Sequence, residues 1–331
     1  MNNLDDYLAA KENFNSILLV GESGVGKSSQ LALTAKKLYE LEGYKTLLLL
    51  ADQGSGIAPY VDMGLTKDCG LKAYSIHDSK HPLSILNKIG KGYWPEYRET
   101  NDGVKGVIKE TEDYKVDFNE YQILILDSLS GLATYLMEYF SNPQQSIGFK
   151  LGVTAKDDDY EFGSMAEGHY NLAHNELIKF ISMWIPRLPL RYFLVSAHLE
   201  QTRTSFCPAT IGKALNNKVG SWFRNSFHLS VETVSAETIR KQKLTDQYGV
   251  TKETDDNQNY EVRVGWFREH RNDLTGLPYR MKARIPLHLD SLVTARYPYG
   301  YQILDIELGL LRFFDYLKKA EEVVKKKKEN N

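Results

Sequence analysis

Hydrophobic residues fall along this chain in short unbroken runs, separated by stretches with helical spacing. Residues 16–20 (SILLV), 45–51 (KTLLLLA), 122–127 (QILILD) and 191–197 (RYFLVSA) are apolar runs of strand length. Runs without polar alternation suit strands covered on both faces. Between the first two, residues 28–41 place Leu31, Leu33, Ala35 and Leu38 near helical spacing, and Gly43 stands where a C-cap glycine ends a helix. A second helical pattern, over 169–184, stops at Pro186 and Pro189, which cannot continue it. Buried strands alternating with helices predict an α/β fold with a mostly parallel sheet and helices on both faces. Farther on, 260–267 reads as a strand and 308–324 as an amphipathic helix.

Two stretches break the rhythm. Residues 90–120 are polar and rich in Gly, Lys and Glu, which reads as an insertion or mobile excursion. Residues 235–259 are polar too and read as a loop or exposed hairpin. The run Lys325–Lys328 reads as a frayed, solvated tail, with nucleic-acid contact as the alternative. The expected partition is one domain over 1–305, then a C-terminal amphipathic helix and basic tail over 306–331. Composition narrows the class: with 42% hydrophobic and 25% charged residues in 331, wholesale disorder is excluded. No apolar run approaches the roughly 20 residues of a membrane span, and the acidic start MNNLDDYLAAKENFN is not a signal peptide. Cys69 and Cys207 fit no metal spacing, so a reducing, cytoplasmic setting is expected. With a net charge of −2, any contact to a polyanion must come from a local basic patch.

The specific chemistry begins after the first strand. Gly21-Glu22-Ser23-Gly24-Val25-Gly26-Lys27-Ser28-Ser29 contains G-x-x-x-x-G-K-[ST] in full, between a strand and a helix. The glycines let backbone N–H groups turn inward, where they and the helix N-terminus cradle phosphate oxygens. Lys27 is placed to neutralise β- and γ-phosphate charge, and the Ser28 hydroxyl to ligate Mg²⁺. Asp127, an acid at the C-terminal end of a buried strand, is the partner expected for Mg²⁺. It is followed by Ser128-Leu129-Ser130 and not by a second acid, so the group that activates water must come from elsewhere.

The loop GESGVGKSS, a strand ending Ala51-Asp52-Gln53, the segment ILILDSLSGL and a strand ending Val-Ser-Ala-His198 together resemble a family. They look like the RecA-like ATPases that phages encode for single-strand annealing and recombination, related to RecA, RadA and KaiC. The resemblance covers roughly residues 14–290. It implies a RecA-like P-loop core with antiparallel C-terminal strands and a C-terminal helix, ATP and Mg²⁺ as cofactors, and a homo-oligomer, ring or filament, in the cytoplasm (the host's, if phage-encoded). In that family a glutamate after the second core strand polarises water. Here Gln53 replaces it or Asp52 takes the role, and a glutamine can orient water but cannot accept its proton. Tyr60 is similar to an aromatic that stacks on adenine. Ser196 or His198 would be the sensor of the γ-phosphate. Lys282 and Arg284 resemble a Lys-x-Arg finger that reaches a neighbour's ATP site, with an ordinary charged edge strand as the alternative.

Single-stranded DNA is the partner the resemblance implies. Residues 201–231 hold no Asp or Glu, where the chain's average would place about four. They do hold Arg203, Lys213, Lys218 and Arg224 along with Phe206, Trp222 and Phe223. Cations interleaved with rings suit a single strand, through counterion release and base stacking; a basic lid over the ATP phosphates is the alternative. Two further functions remain open: a P-loop kinase or phosphotransferase with 90–120 as its lid, and an ATP-gated assembly factor with little turnover.

Overall fold

The computed structural model describes residues 14–52, 56–78, 82–95, 118, 120–141, 167–281, 283–305 and 307–329. Its strands are β1 (Asn15–Gly21), β2 (Lys45–Leu50), β3 (Lys72–Ser75), β4 (Tyr121–Asp127), β5 (Tyr192–Gln201), β6 (Phe206–Pro208), β7 (Asn225–Ser235), β8 (Asn259–Trp266), β9 (His270–Arg271), β10 (Pro278–Tyr279) and β11 (Tyr301–Ile303). The order β7-β1-β5-β4-β2-β3 is parallel throughout, and β8 and then β11 extend it antiparallel beyond β7. β6 folds back against β5 and carries β10 and β9 as a side sheet.

The helices are α1 (Lys27–Glu42), α2 (Ala58–Asp62), α3 (Pro82–Gly90), α4 (Leu129–Ser141), α5 (Glu167–Ile178), α6 (Gly212–Val219), α7 (Ala236–Lys241), α8 (Thr245–Tyr248), α9 (Asp290–Arg296) and α10 (Leu311–Glu329). α5 runs on into a π-helical turn, Lys179–Trp184. The α1 C-cap is Gly43, at φ 72°, whose N–H donates to Tyr39 O at 2.8 Å. Among the described residues, no helix is long and apolar enough to cross a membrane.

The unbroken apolar strands are covered on both faces, as their patterning requires. Leu18 and Val20 of β1 join a core with residues of α3, α4, α5 and α6. The alternate residues Ile17 and Leu19 join a second core with α1, α9 and α10. The C-terminal helix is part of that second core, since Phe313 is buried against Phe227, Phe267 and Tyr297.

Three expectations change. Residues 235–259 are not an exposed hairpin: they include α7 and α8, and Ala236, Ile239, Leu244 and Val250 bury a small core with Val262, Val264, Tyr301 and Ile303. The lysine run 325–328 is helical, the last part of α10, with Lys325 and Lys326 exposed. Residues 201–231 are not one loop, because β6, α6 and most of β7 are built from them. Most of 90–120 lies outside the described residues; its described flanks, Trp94 and Phe118, are buried in the first core.

Candidate active site

β1 and β4 end at one edge of the sheet beside β5, Gly21 pairing with His198 and Leu126 with Val195, while β5 runs on to Gln201. The glycine loop opens from β1 at this edge. Gly24 and Gly26 have φ of 80° and 96°, and Gly26 caps α1 without a side-chain cap or an acid in the first turn. Those conformations are ones that L side chains rarely adopt. They leave the helix's first N–H groups and its positive dipole end to an anion. Gly21 has no room for a side chain either, since a Cβ there would come 2.7 Å from Leu229 O.

Lys27 is buried, and its ammonium donates to Gly21 O at 2.9 Å and Glu22 O at 2.7 Å. Burial pulls its pKa down, against the opposing charges of Asp127, Asp52 and Glu22. Asp127 ends β4 with 2% of its surface exposed. Tyr60 of α2 donates its hydroxyl to Asp127 Oδ2 at 2.8 Å, and Ser196 of β5 donates to Oδ1. An ionised carboxylate has about four lone-pair sites, so two donors leave capacity for a further ligand. A carboxylate and the Ser28 hydroxyl are hard oxygen donors, the chemistry Mg²⁺ takes up with phosphate oxygens and water. The residue types present therefore fit the metal, and Ser28 and Asp127 are the ones that would hold it. Among the described residues, no group of three or more His, Cys, Asp or Glu gathers to hold a metal by itself.

Asp52 follows β2 at the same edge. Its Oδ1 accepts from Ser128 Oγ at 2.5 Å, and its Oδ2 lies 3.4 Å from His198 Nε2. Burial works to raise its pKa, but the bonds from His198 and Ser128 and the charges of His198 and Lys27 hold it below the usual range. Ser130 Oγ accepts from the His198 backbone N–H at 2.8 Å and donates to Ala209 O at 2.7 Å, tying α4 to β5. Gly131 is a second close approach. A methyl there would overlap Asp52 Oδ1 and the Ala51 carbonyl, so only glycine lets α4 start against the end of β2.

The edge thus brings together Gly21, Lys27, Asp52, Asp127, Ser196 and His198. Two expected roles change. Tyr60 is fully buried with its hydroxyl on Asp127, so its ring has no open face for adenine. Ser196 is also fully buried and donates to Asp127, whereas the His198 side chain is 41% exposed; of the two sensor candidates, only His198 faces the open side. Glu22 and Ser23 are exposed, and Val25, Ser28 and Ser29 are half-buried along the loop and first helical turn. Gln53 and Lys282 lie outside the described residues.

Arg284 sits away from this edge. Its N–H donates to Asn225 Oδ1 at 3.0 Å, and Asn225 pairs with Ile17, four residues before Gly21. At ~3.3 Å per residue that is about 13 Å along the strand. Its side chain is exposed, and its neighbour Ala283 makes an isolated bridge to Asn225, not the edge strand expected from the sequence.

The acid-free segment is corrected more deeply. Phe206 and Phe223 are core residues, and Trp222 packs half-buried against the same core, so they do not form a base-stacking platform. Arg203, Lys218 and Arg224 are exposed; Lys213 lies in α6, its side chain outside the described set.

Sequence reasoning singled out Tyr60 for its ring and missed its hydroxyl, which is given to Asp127. It also missed Arg263 of β8, whose Nε would meet a Cβ at Gly26 at 3.6 Å, which places this guanidinium over the loop. Ser128 and Ser130 had a visible signal, their place directly after the metal-type acid.

No family model matches the chain, and no curated protein matches it. Solved structures do. A KaiC-like protein from the hyperthermophilic archaeon Pyrococcus horikoshii OT3 is similar at 10% identity and a TM-score of 0.39, over 88% of this chain and 89% of its own. The flagellar accessory protein FlaH from Methanocaldococcus jannaschii is similar at 9% identity and a TM-score of 0.32, over 80% of this chain and 84% of its own.

Proposed function

We propose that this chain is an ATP-binding and ATP-hydrolysing RecA-like protein that works as a homo-oligomer on single-stranded DNA, in annealing or recombination. One observation carries the nucleotide part: Lys27, Asp127 and Asp52 converge at the strand edge where the glycine loop opens α1. The loop N–H groups, the helix dipole and Lys27 hold the triphosphate. Ser28 and Asp127 would hold Mg²⁺, which would supply charge neutralisation for the phosphates. Asp52, kept ionised by Ser128 and His198, orients the attacking water and takes its proton. His198 reports the state of the phosphate to β6, whose end is tied to it through the Ala209 N–H to His198 O bond of 2.8 Å.

The oligomer is supported by Arg284, which is exposed and too far down the sheet to serve its own loop. The DNA partner is supported by the exposed cations of an acid-free segment, acting on backbone phosphates and not through stacked bases. The test is ATP binding and turnover with and without single-stranded DNA. Micromolar binding and DNA-stimulated phosphate release are expected. Nucleotide binding no better than that of Lys27→Ala would remove the whole proposal, and turnover indifferent to DNA would remove its DNA part.

A further inference from the structure

We infer that Tyr60 is a positioning residue for the metal-holding carboxylate of Asp127. The inference rests on the nucleotide reading above and deepens it. The torsion that sets the plane of an Asp carboxylate is sp³–sp² and has no sharp minima, so its neighbours decide where the oxygens point. Asp127 is almost wholly enclosed, and both of its oxygens are engaged by neutral hydroxyls from different elements. Ser196 reaches Oδ1 from β5, the adjoining strand of the sheet. Tyr60 reaches Oδ2 from α2, a short helix outside the sheet that packs on α1.

The tyrosine ring belongs to the second core, which also holds Leu31, Ala35 and Leu65, and none of its surface is exposed. A phenylalanine would bury the same carbons, so packing alone does not call for the hydroxyl. Bringing that hydroxyl out of water is unfavourable without a partner, and the partner it has is Asp127. Donors on both oxygens hold the carboxylate plane, so its remaining lone pairs keep one direction toward a ligand. Tyr60 is wholly enclosed, and its hydroxyl is given to Asp127. It acts through Asp127, and it ties α2, the helix that follows Asp52 and Gln53 in the chain, to the carboxylate that would hold the metal.

The experiment is Tyr60→Phe in the full chain, with three readouts: ADP affinity in EDTA, Mn²⁺ binding to the ADP complex by electron paramagnetic resonance, and melting temperature. Expected are an unchanged affinity in EDTA and a half-saturating Mn²⁺ concentration raised roughly tenfold, the order of one hydrogen bond to a charged group. In an Asp127→Asn background, Tyr60→Phe should move the Mn²⁺ curve no further, because its route is gone. Should Tyr60→Phe fail to fold, 4-aminophenylalanine and 4-fluorophenylalanine at position 60 make the same comparison. The first still donates and should keep the wild-type curve; the second fills the volume without donating and should shift it. A Tyr60→Phe curve that superimposes on wild type overturns the inference. So does a shift that persists in Asp127→Asn, or a fall in melting temperature with the Mn²⁺ curve unmoved. If wild type itself binds no ADP in EDTA and no Mn²⁺ with ADP, the nucleotide reading fails and takes this inference with it.

Discussion

The glycine loop and the acid-free segment 201–231 each gather one kind of chemistry in sequence, yet they fold to opposite outcomes. Residues 21–28 stay within one turn of backbone, so Lys27 remains beside the carbonyls of Gly21 and Glu22. The later segment crosses the sheet from one edge to the other. Arg203 follows the end of β5 at Gln201, while the N–H of Arg224 donates to Ser16, which pairs with Phe193 at the start of β5. Eight residue steps separate those levels, about 26 Å along the strand. A cluster in sequence becomes a cluster in space only when no regular element is threaded through it.

That contrast can be broken most sharply at the loop. Lys27→Ala is expected to lower ATP affinity by roughly 100-fold or more, from the loss of a charged hydrogen-bond donor at the phosphates. Titration with a fluorescent ATP analogue checks this, and micromolar binding by the mutant would mean that the loop's compactness has no phosphate to hold. Next in size, Asp52→Asn should cut turnover by about 100-fold while sparing affinity, as loss of a general base does; a phosphate-release assay decides. If Gln53→Glu raises the rate while Asp52→Asn leaves it alone, the base is Gln53's position instead.

Arg284 supplies the third test. Subunits carrying Arg284→Ala or Lys27→Ala should each be inactive alone. Mixed equally, they should regain activity at about a quarter of random interfaces, where an intact loop meets a neighbour's intact arginine. No recovery at concentrations where wild type assembles would put Arg284 outside the reaction. The smallest effects belong to the scattered cations. Arg203→Gln and Arg224→Gln should each reduce the slope of log affinity for single-stranded DNA against log salt by about one, and their free energies should add. Strong non-additivity would show that the two cations share a site after all, and the separation described here would not hold in the complex.

The strands that face helices on both sides were legible because their burial leaves few polar residues to blur the pattern: β1, β2, β4 and β5 lie within a few residues of the apolar runs. β7 was not legible, although its first half is buried. Its interior positions include Asn225, Ser226 and His228, polar groups that the fold satisfies locally. Asn225 accepts from the Arg284 N–H, Ser226 donates to Gly220 O, and His228 Nδ1 lies 3.1 Å from His270 Nε2. No periodicity rule anticipates such partners, and those of Asn225 and His228 are distant in sequence. The site divides the same way. Lys27 and Asp127 are set by a local motif and a strand end, whereas the positions of Tyr60, Arg263 and Ser196 depend on elements meeting across the sheet.

The bare Cα of Gly131 turns the start of α4 into a mechanical stop for the end of β2. Closely packed parts transmit displacement without slack. With Ser128 Oγ also bonded to Asp52 Oδ1 and to the Gly131 N–H at 3.1 Å, this turn of helix and this carboxylate move as one piece. A push along α4 from its far end, at Ser141, would thus arrive at Asp52 as a change of aim and not as a change of charge. Gly131→Ala makes that distinction directly: one added methyl would deflect Asp52 while leaving every reacting group in the chain chemically intact.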